Sequence, residues 1–462
     1  MDLSRRHAIR ALGAGAIAST AAIGAPALFT SHAADVSDYK ALVCVFLFGG
    51  LDCHDVLIPA DADGFSAWRA ARSSMLARYG ASREPQALLN LSRVSQPMPT
   101  GPQFAFPPEF AGIHSIYESG NAAVVANTGP LIEPVTRASF TGGSGQLPAR
   151  LFSHNDQQVT WQAGAPEGAQ FGWGGLFADA VLASGANRDL PQFTSIVTDE
   201  AGAFSTGRST LPFRVPIGGS NELGALQRLE AEGGSGFIDS VREQFAARGF
   251  MQDHVIERDI ADAFASGIDN NQLYQNAFIN GRPLIGNFQP GPLSVQLQAV
   301  AETIALRGSF AANRQIFFVS LGGFDTHAAQ AFTLPNLMSE IDRAVSSFEA
   351  AMRAAGLSNQ VTLFTASDFG RTLVANGDGT DHGWGGHHIV VGGAVRGRDI
   401  YGDVPPPVTG HNLDAGNGRL IPRLAVDQYA AQLGSWFGLN DAELASALPN
   451  LNRFNPTIDR FV

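Results

Sequence analysis

Five short runs of this sequence carry residues that can bind metal or move protons. They are Gly49-Gly50-Leu51-Asp52-Cys53-His54-Asp55, Ser153-His154-Asn155-Asp156-Gln157-Gln158, Gly322-Gly323-Phe324-Asp325-Thr326-His327, Ser367-Asp368-Phe369-Gly370-Arg371-Thr372 and Asp381-His382-Gly383-Trp384-Gly385-Gly386-His387-His388. Carboxylate oxygens and neutral imidazoles together suit divalent ions, with zinc, manganese, magnesium and calcium all compatible. Two such ions about 4 Å apart would clamp an anionic group in transfer.

Each run also has a plainer reading. Asp325 could accept backbone N–H bonds in a turn, and Asp368 could cap the turn that follows it. His54 and Asp55 suit a polar turn as well as a ligand pair. The Gly383–Gly386 stretch could be a surface loop, although acidic, imidazole and tryptophan side chains within eight residues favour a ligand there. Ser153 opens a helical pattern and suits an N-cap. It equally suits a nucleophile at a helix N-terminus, where free N–H groups and the dipole favour phosphate or sulfate. There is no G-x-S-x-G elbow for a lipase-like triad, and glycine-rich nucleotide signals are absent.

Apolar runs that end at these motifs must position them. Lys40–Phe48, Ala122–Ala126, Phe193–Val197, Gln315–Leu321 and Val361–Ala366 read as strands buried on both faces, with Ile389–Val391 shorter. Helical patterns lie between them at Pro107–Ser119, Trp173–Ala183, Ser294–Leu306, Leu334–Ala355 and Ala425–Phe437. Alternation of this kind predicts an α/β fold, a mostly parallel central sheet with helices on both faces. Sites in such sheets form at the carboxyl ends of the strands. The stretch from about 222 to 280 reads as a helical insertion, and Gln96–Pro108, Thr141–Pro148, Asn376–Gly386 and Asp403–Gly418 read as loops.

The N-terminus reads as a twin-arginine export signal. Ser4-Arg5-Arg6 precedes an uncharged Ala/Gly-rich stretch from Ala11 to Leu28, and Ser31-His32-Ala33 places cleavage after Ala33. Residues 34–462 are then one α/β domain, periplasmic or extracellular, with the export machinery as partner and no membrane span after cleavage. At 45% apolar residues the chain has ample core. Its formal charge is −12, and −14 once Arg5, Arg6, Arg10 and Asp2 leave with the signal, which disfavours nucleic acid and anionic membrane. The two cysteines, Cys44 in a strand and Cys53 in the following loop, are awkwardly placed for a disulfide.

Taken together, these motifs resemble the domain-of-unknown-function 1501 family, itself similar in fold to the alkaline phosphatase and sulfatase superfamily. The resemblance rests on the leader, Gly-Gly-x-Asp at 49–52, Ser153-His154, Gly-Gly-Phe-Asp-Thr-His at 322–327, Asp-Phe-Gly-Arg-Thr at 368–372 and Asp381-His382. It implies one or two divalent ions held by Asp52, Asp325, His327, Asp368, His382 and His387, with Ser153 at the nucleophile position. The superfamily's adjacent Asp-His pair is here Asp368-Phe369, which leaves that histidine role to His382 in the loop. The reading is an exported metal-dependent hydrolase or transferase of a phosphate or sulfate ester, on an anionic small molecule or polymer. Arg371 would stabilise developing negative charge, or pair with Asp368. The alternative is a non-catalytic exported protein that binds or assembles cell-surface polymers.

Overall fold

The computed structural model describes residues 33–96, 101–199, 202–217, 236, 240, 255–281, 286–455 and 460–462. The export signal expected at 1–33, save Ala33, and nearly all of the expected insertion before Val255 lie outside the described residues.

The central sheet is built from β1 (Lys40–Leu47), β2 (Ala122–Gly129), β3 (Ser195–Val197), β4 (Phe213–Arg214), β5 (Arg314–Leu321) and β6 (Val361–Ser367). After a two-stranded hairpin, β7 (Arg371–Ala375) with β8 (Thr380–His382), it is completed by β9 (Gly386–Val391), β10 (Ile400–Tyr401) and β11 (Leu424–Ala425). The order across the sheet is β10-β2-β9-β6-β1-β5-β3-β4, with β11 also on β2. Every pairing is parallel except those of β9, which is antiparallel to both β2 and β6. The sheet is therefore mixed but mostly parallel.

The sequence of β1 explains its central place. Its residues are apolar almost without break, so both faces bury. Ala41, Val43, Val45 and Leu47 enter one core, and Leu42, Cys44 and Phe46 enter the other. Helices cover both faces. On the first lie α5 (Pro292–Ala305) and α6 (Gln330–Ala354), contributing Leu297, Val300, Met338 and Phe348. On the second lie α2 (His154–Ala163), α3 (Trp173–Ala183) and α7 (Val426–Phe437), contributing Trp161, Phe177, Tyr429 and Phe437. Burying each such large side chain contributes roughly 1.5–3 kcal/mol. The remaining named helices are α1 (Cys53–Val56) and α4 (Val255–Gly281), whose Tyr274 is buried against Phe193 and Phe310.

Several boundaries differ from the sequence reading. Phe193 belongs to a 3-10 turn that begins at Pro191, because proline supplies no ladder N–H. Helix α6 starts at Gln330 rather than Leu334, and Pro335 sits within it. The expected loop at 376–386 contains β8, folded back on β7 across a turn whose Gly377 has φ +110°. Both cysteines are free and buried, with Cys53 opening α1 rather than lying in a loop. Among the described residues no helix is long and apolar enough to cross a membrane.

Candidate metal centre

Strands β1, β5 and β6 run parallel, so their carboxyl ends share one edge. Because β9 runs the other way, its first residue returns to that edge and brings the β7–β8 hairpin with it. The turns there are tightly stacked. Gly49 has φ +115°, and a Cβ on it would lie 2.4 Å from the Asp325 backbone nitrogen. A side chain at Gly50, φ +84°, would strike the Phe369 ring. Only glycine fits this pair without strain.

On this edge three imidazoles and one carboxylate point at a common place. His154 is the first residue of α2, Asp325 and His327 follow β5, and His382 ends β8. His382 Nε2 lies 3.0 Å from His154 Nε2, 2.8 Å from His327 Nε2 and 3.3 Å from Asp325 Oδ1. Asp325 Oδ1 lies 3.4 Å from His154 Nε2 and 3.0 Å from His327 Nε2. His154, Asp325 and His382 each offer a ligand atom within 4.8 Å of the others, a group that could hold a metal ion.

The far side of each ring shows why an ion fits. His154 Nδ1 meets Asp368 Oδ2 at 2.7 Å, His382 Nδ1 meets the Phe152 carbonyl at 2.7 Å, and His327 Nδ1 meets Asp381 Oδ1 at 3.3 Å. Oxygen acceptors at all three Nδ1 atoms place the proton there and leave a lone pair on each Nε2. Lone pairs directed at one another and at a carboxylate oxygen repel unless a cation lies among them. A single nitrogen such as His382 Nε2 cannot satisfy three polar neighbours with one proton.

Arg371 braces the group from below. Its buried guanidinium donates to Asp325 Oδ1 from both Nη atoms, at 3.1 and 3.2 Å. It also donates to the carbonyls of Gly49, Phe324 and Thr380, tying three loops together. Burial works against the Asp325 carboxylate, but its charged neighbours, the Arg371 guanidinium foremost, outweigh it and hold its pKa below the usual value. The hydrogen bond to Asp368 raises the pKa of His154, whereas burial lowers that of His382.

The structure thus brings Asp325, His327, Asp368, Arg371 and His382 together, and gives several of them other work than the sequence reading did. Asp368, expected as a ligand, turns Oδ2 to His154 Nδ1, to the Gly49 N–H at 3.1 Å and to Gln158 at 2.8 Å, so it stands behind the His154 ring rather than among the converging Nε2 atoms. Its buried Oδ1 has no partner among the described residues. Asp52, also expected as a ligand, is buried in an ion pair with Arg72, accepts from Gln330 and caps α1; none of its described contacts is with the imidazoles. His387 is buried in β9 and its Nδ1 accepts the Asn127 N–H at 3.0 Å, again away from the group. Arg371 pairs with Asp325 rather than Asp368, and its donors are taken by the protein. Ser153 stands at the N-cap of α2 but makes no capping bond; its Oγ donates to Asp156 Oδ2 at 3.0 Å. His154, whose Nε2 faces the group, was not among the expected ligands. The signal was present, since it lies in the same run as Ser153, but the hydroxyl drew the chemistry.

The chain belongs to the family described as Protein of unknown function (DUF1501), whose model matches residues 39–415. No curated protein matches it. Among solved structures, "Crystal structure of Ps i-CgsB" is similar at 11% identity and a TM-score of 0.35, covering 91% of this chain and 78% of that one. "Crystal structure of Ps i-CgsB in complex with k-i-k-neocarrahexaose" has the same coverages at 9% identity and a TM-score of 0.31. Likeness at that level carries no argument about fold family or substrate.

Proposed function

We propose that this member of the family is an exported metal-dependent hydrolase or transferase of phosphate or sulfate esters, with a divalent ion held by His154, Asp325, His327 and His382. The observation that carries the reading is the convergence of three Nε2 atoms on Asp325 Oδ1 while every Nδ1 is tied to an oxygen. Zinc suits the imidazole-rich donor set best. The loaded carboxyl edge of a mostly parallel sheet supports the likeness to alkaline phosphatases and sulfatases expected from sequence. The Ser4-Arg5-Arg6 leader and its Ser31-His32-Ala33 exit support export by the twin-arginine route.

A bound divalent ion supplies Lewis acidity to an ester oxygen and favours deprotonation of a nearby hydroxyl. The chain's residues do the rest. Asp368 fixes the His154 ring, and Arg371 fixes Asp325. Ser153, next to His154, is the nucleophile: its Oγ bonds to the phosphorus or sulfur as its proton passes to Asp156 Oδ2 and the ester oxygen departs. Water then cleaves the seryl ester and restores the hydroxyl.

The test is turnover of an aryl phosphate and an aryl sulfate by metal-loaded wild type and Ser153→Ala. The reading requires metal content kept and turnover lost in the variant. A loaded wild type that turns over neither ester leaves a protein that binds or assembles cell-surface polymers.

A further inference from the structure

Beside the metal centre lies an arginine that is held rigidly but not used up. Arg419 donates Nε–H to the His382 carbonyl at 2.7 Å and Nη1–H to the Gly416 carbonyl at 3.2 Å. Its guanidinium carbon stands 5.2 Å from the centre of the Phe152 ring, a cation–π contact that fixes the plane of the fork. Phe152 is itself constrained: its φ of +72° is left-handed, rare for an aromatic residue, and its carbonyl accepts from His382 Nδ1 at 2.7 Å. One strained residue therefore positions both a ligand imidazole and this guanidinium.

Arg419 is half-buried, and its Nη2 has no partner among the described residues. Asp414, the acid on its loop, forms no ion pair with it among the described residues. Asp414 spends its carboxylate on the N–H groups of Gly410, Gly416 and Gly418, at 2.7, 2.7 and 2.9 Å. A second guanidinium, Arg137, borders the same loop, where a Cβ on Gly410 would lie 3.2 Å from its Nη1. A chain with formal charge −12 thus keeps cationic donors at this rim. Arg371, by contrast, is buried with its donors engaged and cannot reach a ligand.

We infer that Arg419 is the anion-recognition residue of this site, gripping two oxygens of the tetrahedral phosphate or sulfate group through its free Nη hydrogens. A planar fork matches such a group in a bidentate way, and a preorganised one loses little freedom on binding. The inference rests on the metal-dependent ester reading above and names the residue that reads its substrate.

The experiment measures metal content by mass spectrometry and affinity for inorganic phosphate and inorganic sulfate by calorimetry, on zinc-loaded wild type and R419Q. R419Q keeps wild-type metal content and binds the better of the two anions at least about tenfold more weakly. Equal anion affinity in R419Q overturns the inference. So does loss of metal in R419Q, which would assign Arg419 only to bracing His382. A wild type that holds zinc but binds neither anion overturns the inference and leaves the metal centre standing; a wild type that holds no zinc overturns the metal centre itself. A second measurement needs no variant: phosphate should shield Arg419 of the zinc-loaded wild type from phenylglyoxal, and equal modification with and without phosphate counts against the inference.

Discussion

Asp368 Oδ2 lies 2.7 Å from His154 Nδ1, on the side of the ring away from the Nε2 that faces Asp325 and His382. The carboxylate fixes the ring and its tautomer, and it raises the basicity of the Nε2 that faces the centre. Sequence spacing could not distinguish the two roles, because both place Asp368 at the end of β6.

Asp368→Asn tests that role. The amide keeps the shape and an acceptor oxygen but loses the charge. Zinc affinity, read by competition with a chelator, should fall about 10–100-fold while circular dichroism stays that of the wild type. Unchanged affinity would show that the contact is incidental.

Arg371→Lys separates bracing from catalysis. Lysine cannot serve Asp325 and three carbonyls at once, so buried acceptors lose their partners. Stability in urea should fall by about 1–3 kcal/mol, and metal affinity with it. Loss of turnover with stability and metal affinity intact would return Arg371 to the charge-stabilising role read from sequence.

Stability should fall as the medium is acidified. Burial, chiefly, lowers His54, His387 and His388 to about 3. In the unfolded chain each takes up a proton near pH 6.5, whereas the folded chain does not until about 3. Their contribution is therefore complete above pH 6.5 and is lost as pH falls from there towards 3, by up to about 1.4 kcal/mol per unit for each histidine. His388 packs edge-on to Trp161 in an apolar core, with its Nδ1 unpartnered among the described residues. His388→Phe should flatten the decline between pH 6.5 and 4.5 in urea titrations; an unaltered slope would mean that His388 does not titrate on unfolding.

Much of the architecture was legible because apolar runs and their glycine stops report burial directly. β1, β5 and β6 and the edge they share follow from that signal. The hairpin that carries His382 was not legible, since Thr380-Asp381-His382 is polar and pairs only with β7. The surroundings of Asp52 were hidden for a related reason. Its motif predicts an acid at a strand end but does not reveal that Arg72, 20 residues later in the chain, folds back to neutralise it. His387, expected as a ligand, and its neighbour His388 face opposite sides of a sheet buried on both, a placement that the glycine-rich run does not reveal.

Anomalous X-ray diffraction from crystals of the zinc-loaded protein shows directly where the ion sits. One strong peak is expected, bounded by His154 Nε2, His327 Nε2, His382 Nε2 and Asp325, at about 2.0–2.2 Å from each ligand atom. A peak on Asp52 or His387 instead, or no peak from protein that binds zinc in solution at this edge, would contradict it.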